Sequence, residues 1–207
     1  MKKILYSVLH SENNHDRYQN IMSTWGREVD VLFLSDHEDK EKKIIKVSNN
    51  KSYESGQEKQ INGFNFLNSS ELEYDFYFFC DDDCFVNTKL MQKFISNCNT
   101  NHVWGQVCNC WDGDRSLHYA LGGAGILFSK EMMSLIGGNL QQKGVIWGDV
   151  SLGINLRHRN IQISHSDLFK SQPPSHYKIN DTEIKNYITF HYIKTRDEME
   201  KLYNLSL

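Results

Sequence analysis

Proline is nearly missing from this chain: 207 residues contain 2, alongside 13 glycines. That excludes a collagen-like or proline-rich chain. Long apolar runs are missing too. A membrane-spanning helix needs about 20 apolar residues, and the densest run here is only Phe76 to Cys80. The N-terminal Met1-Lys2-Lys3-Ile4-Leu5-Tyr6-Ser7-Val8-Leu9-His10 opens basic and turns apolar, as signal peptides do. Its apolar part is short, and Glu12, Asn13 and Asn14 follow with no small-residue cleavage site, so it reads as a buried first strand. No sign of charge dominates: 23 Lys+Arg face 26 Asp+Glu, a net charge of -3. That balance argues against a nucleic-acid binder and a polybasic membrane binder. Cysteine is sparse and odd in number, with 5, and Cys80, Cys84, Cys98, Cys108 and Cys110 match no common zinc framework. A reduced, cytoplasmic chain is expected.

What is present is ordinary for a globular protein: 39% hydrophobic and 24% charged residues. The length predicts one domain over residues 1–207. Strands are expected at Lys3–Leu9, Asp30–Asp36, Ile44–Val47, Tyr74–Cys80, around Val103, and at Ile126–Phe128 and Tyr187–Ile193. Helical spacing appears in Asp16–Trp25, Glu58–Leu67, Met91–Ile95, Lys130–Ile136 and Val150–Arg157. Thr195 and Glu198 have capping-box spacing for a last helix. Strands alternating with helices imply an α/β sheet.

The sharpest feature is Asp81-Asp82-Asp83, directly after the apolar strand. Ligands bind beyond the carboxyl ends of strands in open α/β sheets. Adjacent carboxylates repel unless a cation or a donor network holds them. Hard oxygen ligands suit Mg²⁺ or Mn²⁺ shared with a substrate diphosphate. The alternative is a solvated acidic turn.

Phe78-Phe79-Cys80-Asp81-Asp82-Asp83-Cys84-Phe85-Val86 resembles the strand and acidic box of the Fringe and core 1 β1,3-galactosyltransferase family. Ser23-Thr24-Trp25 with Val31–Asp36 is similar to another segment of that family. Gly122-Gly123-Ala124-Gly125 through Glu131, Gly148-Asp149-Val150-Ser151-Leu152-Gly153 and Phe190-His191-Tyr192-Ile193 resemble three more. Phe169 with Pro174-Ser175-His176 is a fainter echo. One such piece is weak; together and in order they are strong.

The resemblance implies a GT-A fold: a Rossmann-like, mostly parallel sheet flanked by helices, with a smaller acceptor-side C-terminal half. Residues 1–86 would form the nucleotide-sugar half and 87–207 the acceptor half. It also implies an inverting, UDP-sugar-dependent glycosyltransferase using Mn²⁺ or Mg²⁺. Asp83 and Asp81 would hold the metal, with Asp81 also near the nucleotide and Asp82 orienting both, a DxD-type spacing. His176 or His191 would add a ligand, with His176 ranked first. Ser35, Asp36 and Lys59 would touch the nucleotide, though a lone lysine on a helix is as often solvated. Gly122, Gly123 and Ala124 would let the backbone approach a sugar, or merely turn a strand. Inversion needs a base opposite the leaving group, a role a carboxylate can fill. Asp149 is the candidate, an N-cap being its other reading. Relatives usually carry a second acid at the place of Gly148, so the role would fall on Asp149 alone. Trp111 and Trp147 would meet the acceptor, core packing being the ordinary fate of tryptophan.

The expected reaction is transfer of a hexose or N-acetylhexosamine from a UDP-sugar to a glycan hydroxyl, forming a β1,3 linkage. The expected setting is a bacterial surface glycan: lipopolysaccharide, capsule or a lipid-linked repeat unit. The acceptor would be met in the cytoplasm or peripherally at the inner membrane, without nucleic acid. Two rivals remain at this stage: a catalytically silent, chaperone-like binder, and a metal-dependent phosphohydrolase.

Overall fold

The computed structural model describes residues 2–109, 114 and 116–207. In chain order the strands are β1 (Ile4–Leu9), β2 (Asp30–Ser35), β3 (Ile44–Lys46), β4 (Phe76–Asp81), β5 (Phe85–Val86), β6 (Val103–Gly105), β7 (Val107–Cys108), β8 (Tyr119–Ala120), β9 (Ile126–Ser129), β10 (Ile163–His165), β11 (Phe169–Lys170) and β12 (Thr189–Phe190). The helices are α1 (His15–Met22), α2 (Gly56–Ser69), α3 (Thr88–Asn97), α4 (Lys130–Ile136), α5 (Gly148–His158) and α6 (Arg196–Ser206).

The main sheet has seven strands in the order β3-β2-β1-β4-β9-β6-β10. β3, β2, β1 and β4 run parallel, while β9 lies antiparallel to both β4 and β6. A second sheet of three strands, β11-β12-β5, starts where β4 stops.

Period-two alternation explains the layering. On β4, Phe76, Phe78 and Cys80 belong to one core while Tyr77 and Phe79 belong to the other. Ile4, Tyr6 and Val8 of β1 join the first core and Leu5 the second. α1, α3 and α6 cover the first face, giving it Ile21, Met91, Ile95, Met199 and Leu202. α2, α4 and α5 cover the second with Ile61, Phe64, Leu67, Met132, Met133, Leu152 and Leu156. Each such side chain, fully buried, contributes about 1.5–3 kcal/mol. A sheet covered on both faces is what an apolar strand such as Phe76–Cys80 requires.

Helix starts follow local chemistry. The Asn87 side chain caps α3 by accepting from Leu90 N–H at 3.0 Å, and Ser129 caps α4 by accepting from Met132 N–H at 3.0 Å. The expected capping box of Thr195 and Glu198 opens α6. Two expectations change. The helix expected to reach Trp25 ends at Met22, and Trp25–Glu28 forms a separate 3-10 turn. The long terminal strand expected over Tyr187–Ile193 pairs only at Thr189–Phe190, because Tyr192 adopts a left-handed backbone, φ 62°. Cys80, Cys84 and Cys98 are free thiols, but Cys108 is disulfide-bonded, an exception to the expected all-reduced chain. Among the described residues no helix is long and apolar enough to cross a membrane.

Candidate active site

A cavity of about 720 Å³ opens beyond the carboxyl ends of β1 and β4. Leu9 is in register with Asp81, so both strands deliver their last residues to one wall. The acidic triplet turns the chain from the large sheet into the small one. Cys84 N–H bonds Asp81 C=O at 3.1 Å to close the turn, and buried Trp25 donates its indole N–H to Cys84 C=O at 3.2 Å. The threonine–tryptophan segment thus buttresses the acidic turn.

The three carboxylates have separate surroundings. Asp82 accepts from Arg17 Nη1 at 2.5 Å and pairs with His10 Nδ1 at 2.9 Å, both across the wall from β4. Asp81 and Asp83 face His191, whose Nε2 is 3.4 Å from Asp81 Oδ2 and 2.9 Å from Asp83 Oδ1. These three residues form the one group among the described residues able to hold a metal ion, with ligand atoms all within 4.8 Å of one another. Burial pulls the His191 imidazole down, but hydrogen bonds and charge from Asp81 and Asp83 outweigh it and push it up to about 10. Burial likewise raises Asp83, yet the His191 hydrogen bond and charge, with Arg17 and Lys194, leave it below the usual carboxylate range. Two carboxylates are hard donors and imidazole is a borderline one, an anionic set that fits Mn²⁺ and, through its carboxylates, Mg²⁺.

Asp149 stands in the first turn of α5, whose N-cap position belongs to Trp147. The N-cap reading of Asp149 is therefore set aside. Its Oδ2 accepts from Gly122 N–H at 3.2 Å and its Oδ1 from Val150 N–H at 2.8 Å. Burial raises its carboxyl, the Gly122 and Val150 N–H groups oppose that rise, and the Asp81 charge adds to it. The glycine turn 122–125 passes between the Asp81–Asp83–His191 group and this acid. A Cβ on Gly123 would stand 2.1 Å from His191 Cε1, so only glycine leaves the imidazole its place.

Asp81, Asp82, Asp83, Lys59, Gly122, Gly123, Trp147, Asp149 and His191 all line the cavity. Ser35, Asp36 and Ala124 do not. Ser35 is buried behind the wall, its hydroxyl bonded to His37 Nδ1 at 3.0 Å. Asp36 is buried too, and works through its partners: Lys59 Nζ at 2.6 Å, Ser11 Oγ at 2.7 Å and Glu12 N–H at 3.0 Å. Burial raises the Asp36 carboxyl, yet those three bonds hold it well below the usual range. Ala124 is buried and offers its C=O to Thr189 Oγ1 at 2.6 Å. His176 is exposed, sits on the 3-10 turn Pro174–Tyr177 and packs on the Tyr177 ring. Its ranking ahead of His191 reverses, because it falls outside the Asp81–Asp83 cluster. Trp111 lies outside the described residues.

Sequence reasoning passed over several cavity residues: His10, Ser11, Arg17, Gln60, Tyr192 and Lys194. His10 was findable, since it follows the carboxyl end of a buried strand. Arg17 and Gln60 are polar residues on helices and carry no such signal.

The Fringe-like family model matches residues 1–205. The chain is 24% identical to the β-1,3-galactosyltransferase brn of Drosophila melanogaster over 92% of its own length and 70% of that protein's. The fold is similar to the apo-form glycosyltransferase GlyE of Streptococcus pneumoniae, with a TM-score of 0.56 and 14% identity. That match covers all of this chain but spans only 61% of the GlyE chain. A glycosyltransferase involved in glycosylating the major capsid of PBCV-1 superposes with a TM-score of 0.57 and 10% identity over 98% of both chains. These likenesses place the architecture among GT-A glycosyltransferases.

Proposed function

The chain belongs to the Fringe-like family, and on that premise we propose that it is an inverting, divalent-cation-dependent glycosyltransferase. It moves a hexose or N-acetylhexosamine from a UDP-sugar to a glycan hydroxyl. The observation that carries this reading is one cavity holding Asp81, Asp83 and His191 together with a half-buried Asp149. Residues 1–86 would supply the nucleotide half and 87–207 the acceptor half.

Asp81, Asp83 and His191 would hold Mn²⁺ or Mg²⁺. When bound, the ion neutralises charge developing on the departing diphosphate. Arg17 and Lys194 add positive charge to the same cavity. Asp82 fixes Arg17 and His10 there. Asp149 takes the proton of the acceptor hydroxyl as that oxygen attacks the anomeric carbon. Gly122 and Val150 N–H groups fix the orientation of its carboxylate. Burial makes it a stronger base than an ordinary carboxylate. Trp147 and Ile146, exposed at 48% and 53%, give the mouth of the cavity apolar surface for the face of an acceptor sugar.

A β1,3 linkage is supported by the name of the fly relative. The acceptor we put forward is a bacterial surface glycan such as lipopolysaccharide, capsule or a lipid-linked repeat unit, met in the cytoplasm or at the inner membrane. The test is a panel of UDP-galactose, UDP-glucose and their N-acetyl forms with Mn²⁺, scored for UDP release and UDP binding. Slow hydrolysis of one donor is expected. Binding without turnover of any donor would favour a catalytically silent binder, and absence of both would overturn the reading.

A further inference from the structure

We propose that Gln60 reads hydroxyl groups of the transferred hexose, a specificity role that rests on the donor site described above and that residue 148 permits by being glycine. Gln60 sits on α2, next to Lys59, and its side chain lines the cavity although the residue is only 4% exposed. A carboxamide offers two donors and one acceptor. Among the described residues none of these has a protein hydrogen-bond partner, and the amide is not sealed in as Tyr6 Oη and Ser7 Oγ are, so it reaches the cavity. Amide groups that face an open cavity exchange water for the polar groups of a ligand, so Gln60 is free to pair with a substrate there.

Glycines on two sides set its position. A Cβ on Gly148 would stand 2.2 Å from Gln60 Oε1 and 3.2 Å from its Cβ and Cδ. A Cβ on Gly122 would stand 3.8 Å from Gln60 Nε2 and 3.4 Å from the Asp149 Cβ. The amide therefore occupies the space a side chain at 148 would take, beside Asp149. A neutral amide suits that place. It pairs with sugar hydroxyls, which both donate and accept, and adds no charge to repel Asp149. The donor hexose is the better match than the acceptor. Gln60 is buried deep in the wall, whereas Ile146 and Trp147 stand half-exposed at the mouth where an acceptor arrives.

The test is calorimetry with Mn²⁺, comparing UDP with the UDP-hexose that the wild-type protein hydrolyses. Gln60→Ala should weaken the UDP-hexose roughly 10-fold, as expected for loss of one or two neutral hydrogen bonds, and leave UDP within about twofold. Gly148→Ala should evict the amide and give the same pattern. The double variant should lose no more than either alone, because one contact is removed twice. Equal weakening of UDP and UDP-hexose, no weakening of either, additive losses, or an effect confined to the acceptor KM would each overturn the proposal. A wild-type protein that binds no UDP would instead overturn the donor-site reading, and this proposal with it.

Discussion

Asp149 is held by two backbone N–H groups, yet burial still raises its carboxyl above the ordinary range. A base must be ionised, so transfer should fall as pH drops through that raised value. The acid limb of kcat/KM should therefore lie above the usual carboxylate pKa, and a limb at an ordinary pKa would remove Asp149 from the role. Asp149→Asn should lower transfer by roughly 10²–10⁴ while UDP and Mn²⁺ still bind. Asp36 is the opposite case. Its carboxyl is held low, so its stabilisation is present above the unfolded carboxylate pKa and is lost as pH falls through the depressed value. The side chains of Lys59 and Asp36 are 6% and 0% exposed. Lys59→Met leaves that carboxylate buried without its cation and should cost about 3–5 kcal/mol in denaturant unfolding. At this scale residue type was legible and placement only partly so. Asp81, Asp83 and Asp149 lie in strand-end and helix-start contexts that order along the chain reveals. Choosing between His176 and His191 needed the third dimension, because both follow short apolar or proline-bearing segments of similar look.

Elements were more legible than residues. Alternation in Phe76–Cys80 and the three-residue rhythm of Ile61, Phe64 and Leu67 are one-dimensional records of two-sided burial and one-sided burial. Strand direction leaves no such record. β9 reads like any buried strand, yet it runs against β4, with Tyr77 opposite Phe128. The early end of β12 was hidden as well, since a tyrosine with positive φ carries no signature. The glycine turn 122–125 tests how one element serves another. Gly123→Ala should push the His191 imidazole aside without removing any ligand. Mn²⁺-dependent UDP binding should then fall, as it should in Asp83→Ala, with cooperative unfolding retained. Normal UDP binding in Gly123→Ala would mean that His191 does not need its observed place.

For the whole molecule, the cavity draws on both sheets, so occupancy should stabilise the entire fold. UDP with Mn²⁺ at about 100 times its Kd adds about 2.7 kcal/mol, or roughly 5–10 °C in Tm for a chain of this size. Differential scanning fluorimetry with and without chelator measures it. No shift at saturating ligand would contradict a nucleotide site here.

Asp83 and His191 are separated along the chain by about a hundred residues, and the backbone links them too, Ile193 N–H bonding Asp83 C=O at 2.9 Å. An ion shared by these side chains is in effect a removable cross-link that closes a very long loop. The closure entropy of such a loop is large and grows only slowly with its length. An ion serving the proposed chemistry would therefore also fasten the C-terminal strand and α6 to the middle of the chain. A chelator should unfasten that end first, read as faster amide exchange in β12 before the parallel strands β1 and β4 respond.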